Sequence, residues 1–215
     1  MYHHITVFSK KDINVLVTFS IALIFVALIC IISTKKMNTF DTVVLGAYEQ
    51  DNDTTNGNEN IEWIVLKTEG NRTLILSRYG LDCRSFNDEI VDVSWEDSSI
   101  RAWLNEDFLN AAFTTEEQER LDSEVFLLSS TDVCLYLNGS PELVCEPTSY
   151  ASAKGGTGWW WLSSVGEFDH YAAGVFDSGA IDTSGYPVHS EMTVRPAVWI
   201  TTPTLDSRQV AENFK

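Results

Sequence analysis

The chain has 215 residues, 44% of them hydrophobic and 12% aromatic, and a formal net charge of −17 from 14 basic and 31 acidic side chains. That content of core-forming residues excludes a disordered protein, and the length suits one domain with a short extension. The acidity excludes a nucleic-acid partner, because neutralising phosphates needs a cationic surface.

The charge is unevenly placed. Lys10, Lys11, Lys35 and Lys36 face only Asp12 in the first stretch, so all but one of the 31 acids lie beyond Lys36. Between the lysine pairs runs Ile13–Ser33, 21 residues without a charge. A helix of about 20 apolar residues spans a bilayer, so residues 13–33 are predicted to be an uncleaved transmembrane signal anchor. Residues 1–12 would then be a cytoplasmic N-terminus and 34–41 a linker. With two lysines on each side, the positive-inside rule gives no orientation. The Lys-poor, acidic remainder predicts an extracellular domain on a cell-membrane protein.

Thr42–Glu49 reads as a strand, followed by the polar loop 50–60. Ile61–Lys67 and Thr73–Ser77, joined by Glu69-Gly70-Asn71, read as a β-hairpin. Asp97 or Ser98 caps a helix in which Ile100, Trp103 and Leu104 form one apolar face. Thr114-x-x-Glu117 is a capping box that opens a second helix through Leu121. A strand at Val125–Leu128, a helix at Thr131–Leu137 and a helical turn capped by Thr148 follow. Beyond Gly155-Gly156, short strands are predicted at Trp159–Leu162, Ala172–Phe176, Ala180–Ile181 and Val194–Ile200. Helices in the first half and strands in the second predict an α+β class.

Several phrases in this order match one group of proteins: LGAYEQ (45–50), IEWIVLK (61–67), ILSRYGLD (75–82) and SSIRAWLN (98–105). AAF (111–113), VFLLS (125–129), CEPTSYA (145–151), GWWWLSS (158–164) and VRPAVWI (194–200) continue the series. Over residues 42–201 the chain resembles the bacterial extracellular domains of unknown function numbered 6273. Its C-terminal half is also similar to C-type-lectin-like domains. The resemblance implies a C-type-lectin-like α+β ectodomain at 42–201 with a C-terminal tail at 202–215, displaying a ligand surface on loops near the C-terminal end. The family pattern has Arg after Trp-Leu where this chain has Ser163, so no anion contact carries over to that position. The family itself supplies no activity.

Candidate functional residues divide by chemistry. All seven tryptophans lie beyond the apolar run. Successive strand residues face opposite sides, so Trp159 and Trp161 share one face and Trp160 takes the other. Most are expected in the core, with one or two available as an aromatic platform. Cys83, Cys134 and Cys145 are an odd set allowing at most one disulfide among them, and they lack zinc-site spacing. Asp169-His170 and His189-x-Glu191 would ligate a metal only if their loops met. Asp51-Asn52-Asp53 begins like a calcium loop but lacks its Gly at six and its closing Glu. No catalytic or phosphate-cradling motif occurs, and a Cys–His pair would need an electropositive pocket that this acidic domain does not favour. Arg195 reads either as a structural anchor for a carboxylate or backbone carbonyls or as a ligand contact.

The expected function is therefore non-enzymatic recognition of an external glycan or protein, without metal or cofactor. The alternatives are a structural module of a cell-envelope complex, or a formylglycine-enzyme-like oxidase or hydrolase. The predicted binding residues are His170, Tyr171, Asp177, Asp182, Tyr186 and His189, which stand among glycines and small residues in a stretch poor in core formers.

Overall fold

The computed structural model describes residues 40–201. Nine strands dominate it: β1 Thr42–Tyr48, β2 Glu59–Glu69, β3 Arg72–Ser77, β4 Asp82–Ser85, β5 Trp160–Val165, β6 Tyr171–Val175, β7 Ile181–Pro187, β8 Glu191–Val194 and β9 Ala197–Thr201. The helical pieces lie between β4 and β5: α1 Ser99–Trp103, a π-helical turn Leu104–Phe108, α2 Leu109–Ala112, α3 Thr115–Gln118, α4 Ser130–Tyr136 and α5 Ser149–Ala153.

The strands form two sheets. One is ordered β1-β2-β3-β9 and the other β4-β8-β5-β6-β7. The first is antiparallel throughout, while the second contains one parallel pair, β5 with β8. Each sheet borrows a strand from the far end of the described chain. β9 closes on β3, with Ile75 opposite Val198, and β4 closes on β8, with Cys83 opposite Thr193.

This corrects the expected fold class. Residues 40–201 are mainly β, with 36% strand against 20% helix, rather than an α+β C-type-lectin-like domain with helices in one half and strands in the other. The local signals were sound for the hairpin and the helix caps. They carried no information on the long-range pairing that interleaves the two ends. The expectation of a single-pass membrane protein with a preceding transmembrane helix is also corrected: among the described residues no helix is long and apolar enough to cross a membrane. The uncharged run at 13–33 lies outside the described residues, as do residues 1–12, most of the linker and the tail at 202–215.

Two apolar cores sit on opposite faces of the sheets, and alternation along each strand decides which side chain enters which. Ile61, Trp63, Ile75, Trp161, Val198 and Ile200 enter the first, with Ile100, Trp103, Leu104 and Phe108 from the helical segment. Ile64, Leu74, Leu76, Trp160, Leu162 and Ala197 enter the second, covered by Val133 and Leu137 around α4. Trp160 and Trp161 are both fully buried because each has its own core. Every fully buried indole N–H also finds a carbonyl: Trp63 on Leu45 (2.8 Å), Trp160 on Leu143 (3.1 Å) and Trp161 on Arg84 (2.9 Å).

Ser98, not Asp97, caps α1, accepting from the Arg101 N–H, and the capping box at Thr114 and Glu117 is formed. A second capping box joins Ser129 to Asp132 at α4, and Thr148 caps α5. Val125–Leu128 forms no strand of its own, only a bridge between Phe126 and Ala197. Asn105 holds this segment instead, exchanging hydrogen bonds with both backbone groups of Val125 at 2.9 Å. The single strand expected at Val194–Ile200 is two, β8 and β9, because Arg195-Pro196 turns the chain from one sheet to the other.

Candidate functional site

β7 is an edge of the five-stranded sheet, and the β5–β6 connection at its end gathers three rings. The turn is tight. Gly166 donates to the Tyr171 carbonyl (2.7 Å), Tyr171 to that of Phe168 (2.8 Å), and Glu167 to that of Ser184 (2.8 Å). Only glycine fits at 185, where φ is +78° and a Cβ would stand 2.5 Å from the Ala172 oxygen. The reversal stacks Phe168 on His170 at 5.8 Å and 21°. Tyr171 meets both edge-on, at 5.3 Å and 5.0 Å.

The ring group reaches solvent. Phe168 is 51% exposed, an unusual cost for a large apolar side chain. Acidic groups rim it. The Asp92 carboxylate lies 3.4 Å from the His170 Nδ1, and the Val93 N–H holds the Asp169 carbonyl at 3.0 Å. The loop after β4 thus braces the loop after β5.

The six predicted binding residues do not form one cluster. His170 and Tyr171 sit together in the ring group. Tyr186 belongs to a second group, half-buried, with Trp159 at 5.0 Å and Phe176 at 6.5 Å. Asp182 shapes its own turn, its Oδ1 accepting from the N–H groups of Ser184 (3.0 Å) and Gly185 (3.3 Å). Asp177 is exposed in the β6–β7 turn and His189 in the β7–β8 turn. Phe168 and Asp92 were missed. Phe168 left a signal in the sequence, a large apolar residue between Glu167 and Asp169 with no alternating partner. Asp92 left none, since it arrives from a distant loop.

The thiol–imidazole pairing considered from sequence is not formed. Cys83, Cys134 and Cys145 are all free, and neither buried thiol bonds a histidine. Burial, reinforced by Glu191 and Asp82, pushes the Cys83 thiol up to about 11, and burial raises that of Cys145 as well. Both are therefore protonated at neutral pH and poor nucleophiles. Asp169-His170 and His189-x-Glu191 do not meet as metal ligands. The one group of three such side chains among the described residues is Glu49, Asp51 and Glu59, with ligand atoms within 4.8 Å of one another. Backbone N–H groups offset their repulsion, those of Gln50 and Asp51 on Glu59 and that of Asp53 on Glu49.

Residues 70–123 match the family model of a domain of unknown function (DUF6273). The matched stretch runs from the β2–β3 turn through α3 and includes Asp92, but ends before the ring group. No curated protein and no solved structure matches the chain.

Proposed function

We propose that residues 40–201 form a non-catalytic binding module that docks a glycan or protein ligand against Phe168, His170 and Tyr171. The observation that carries this reading is the half-exposed Phe168 ring, stacked on His170 and braced by Tyr171. A ring held this way gives contact area without losing rotamer freedom on binding, and the surrounding carboxylates supply directional acceptors. Burial raises the Cys83 and Cys145 thiols, which counts against a thiol nucleophile at either position.

The test is to probe glycan and protein arrays with the full chain and with a Phe168→Ala/His170→Ala double variant. The wild type should select a small set of ligands. The variant should lose at least tenfold in affinity, about 1.4 kcal/mol, with its melting temperature moved by only a few degrees. Unchanged affinity would place the contact elsewhere.

A further inference from the structure

β4 is the other edge of the five-stranded sheet, and beside it lies a hollow of about 360 Å³ lined by Cys83, Arg84, Ser85, Asp88, Lys154 and Glu191. A second, of about 260 Å³, shares Arg84, Ser85 and Asp88 and adds Trp103, Glu106 and Asp107 among its walls. That is room for a small metabolite. The two cations in the first hollow differ in one respect. Lys154 is already committed, its Nζ bonded to both oxygens of the buried Asp82 at 2.8 Å and 3.0 Å, with the Tyr48 hydroxyl donating to the same carboxylate at 2.7 Å.

Arg84 is not. Its guanidinium lies over the Trp103 ring at 4.3 Å, and its buried Nε has no hydrogen-bond partner. Among the described residues its side chain forms no ion pair, although Asp88 and Glu191 line the same hollow. Glu191 stands opposite Ser85 in the β4–β8 register, one position along from the partner of Arg84. Asp88 is fixed by the Ser85 hydroxyl (3.1 Å) and by its own N–H on the Ser99 hydroxyl (2.8 Å). Opposite charges thus border one space without reaching each other.

A simple anion fits this poorly. It would gain from Arg84 but meet Asp88 and Glu191, and in the adjoining hollow Glu106 and Asp107, in a chain of net charge −17. A simple cation would meet Arg84. A molecule carrying both charges a few bonds apart offers a partner to each sign of charge in the first hollow. We infer that this cleft binds a small zwitterion, an α-amino acid, with its carboxylate on Arg84 and its ammonium on Glu191 and Asp88. The planar guanidinium, held flat on an indole, is preorganised for two parallel bonds to a carboxylate. Each ammonium–carboxylate contact is a charge-assisted bond of the stronger kind.

The site uses none of the ring-group residues, so it stands or falls apart from the function proposed above. Isothermal titration of the full chain with each of the common α-amino acids tests it, with acetate and methylammonium as the two half-ligands. One or more amino acids should bind one-to-one, at least tenfold tighter than either half-ligand. Asp88 and Glu191 are exposed, so an Asp88→Asn/Glu191→Gln variant keeps the fold. It should weaken the amino acid by tenfold or more while leaving acetate no weaker. Arg84→Gln should abolish both. Three results overturn the inference: no amino acid binds, acetate binds as tightly as the amino acid, or the double carboxamide variant keeps its affinity.

Discussion

Arg195 sits in the interior with no exposure to solvent, where an uncompensated charge would be prohibitive. Its fork is spread over three backbone carbonyls: Nε on Ser77 at 2.9 Å, Nη1 on Glu142 at 2.6 Å and Nη2 on Arg78 at 3.1 Å. The Trp160 ring lies 5.1 Å beneath it, and the Glu142 carboxylate stays 4.0 Å away. Of the roles open from the sequence, the structural anchor is formed, on three carbonyls and with the Glu142 carboxylate as a longer ion pair, and burial lowers the guanidinium's affinity for its proton. The residue ties the end of β3 to the turn at 141–143 and marks where the chain leaves one sheet for the other. Arg195→Met should cost about 3 kcal/mol or more, since three carbonyls lose their donor, that of Ser77 in the buried interior. Arg195→Lys should recover less than half, because an ammonium cannot reach three divergent carbonyls. Urea denaturation measures both, and a loss below about 1 kcal/mol for Met would mean that the carbonyls find other donors.

At the scale of elements, β1 shows why a strand can be read correctly and its function in packing missed. Thr42–Glu49 reads as a strand in the sequence, and its register breaks between Val44 and Ala47. Gly46 makes that bulge possible, with φ at +72°. It also lets the strand approach the end of α2 so closely that a Cβ would stand 2.6 Å from the Ala112 carbonyl and 2.9 Å from the Phe113 ring. The Gly46 N–H, turned out of the ladder, donates to Glu117 at 3.0 Å, so the α3 capping box also anchors the sheet. Gly46→Ala should therefore cost about 2 kcal/mol or more, about 1–2 from the left-handed backbone alone and the rest from the clash. A thermal melt within one degree of wild type would contradict this reading of the bulge. Elements with local chemistry were readable: the hairpin at Gly70, the caps at Thr114 and Thr148, and the buried stripe of Ile100, Trp103 and Leu104. β4 was not, because Asp-Cys-Arg-Ser has neither length nor alternation and becomes a strand only against β8. The cleft around Arg84 was unreadable for the same reason, since its walls come from β4, β8 and the end of α5.

At the scale of the molecule, the sequence reading failed on which strands pair across long separations. Periodicity reports which face of a strand is apolar and says nothing about the identity of its neighbour. It did assign the tryptophan triplet correctly, with Trp160 and Trp161 on opposite faces and each fully buried. Consecutive residues therefore plug two different cores, and several strands, β2, β3, β5 and β9 among them, contribute to both. Two cores that share their sheets cannot separate without breaking strand ladders, so they should unfold together. Trp160→Ala removes the largest side chain of one core, and Trp161→Ala a large part of the other. Each should cost about 3–5 kcal/mol, as large-to-small changes at fully buried aromatic positions do. The coupling makes the sharper test. In either variant, far-UV circular dichroism and the fluorescence of the remaining tryptophans should follow a single transition with one midpoint, shifted down by the same amount for both probes. If Trp160→Ala splits the curve, with one probe melting early and the other at the wild-type midpoint, the cores are independent and the exchanged strands β4 and β9 do not bind the sheets into one cooperative unit.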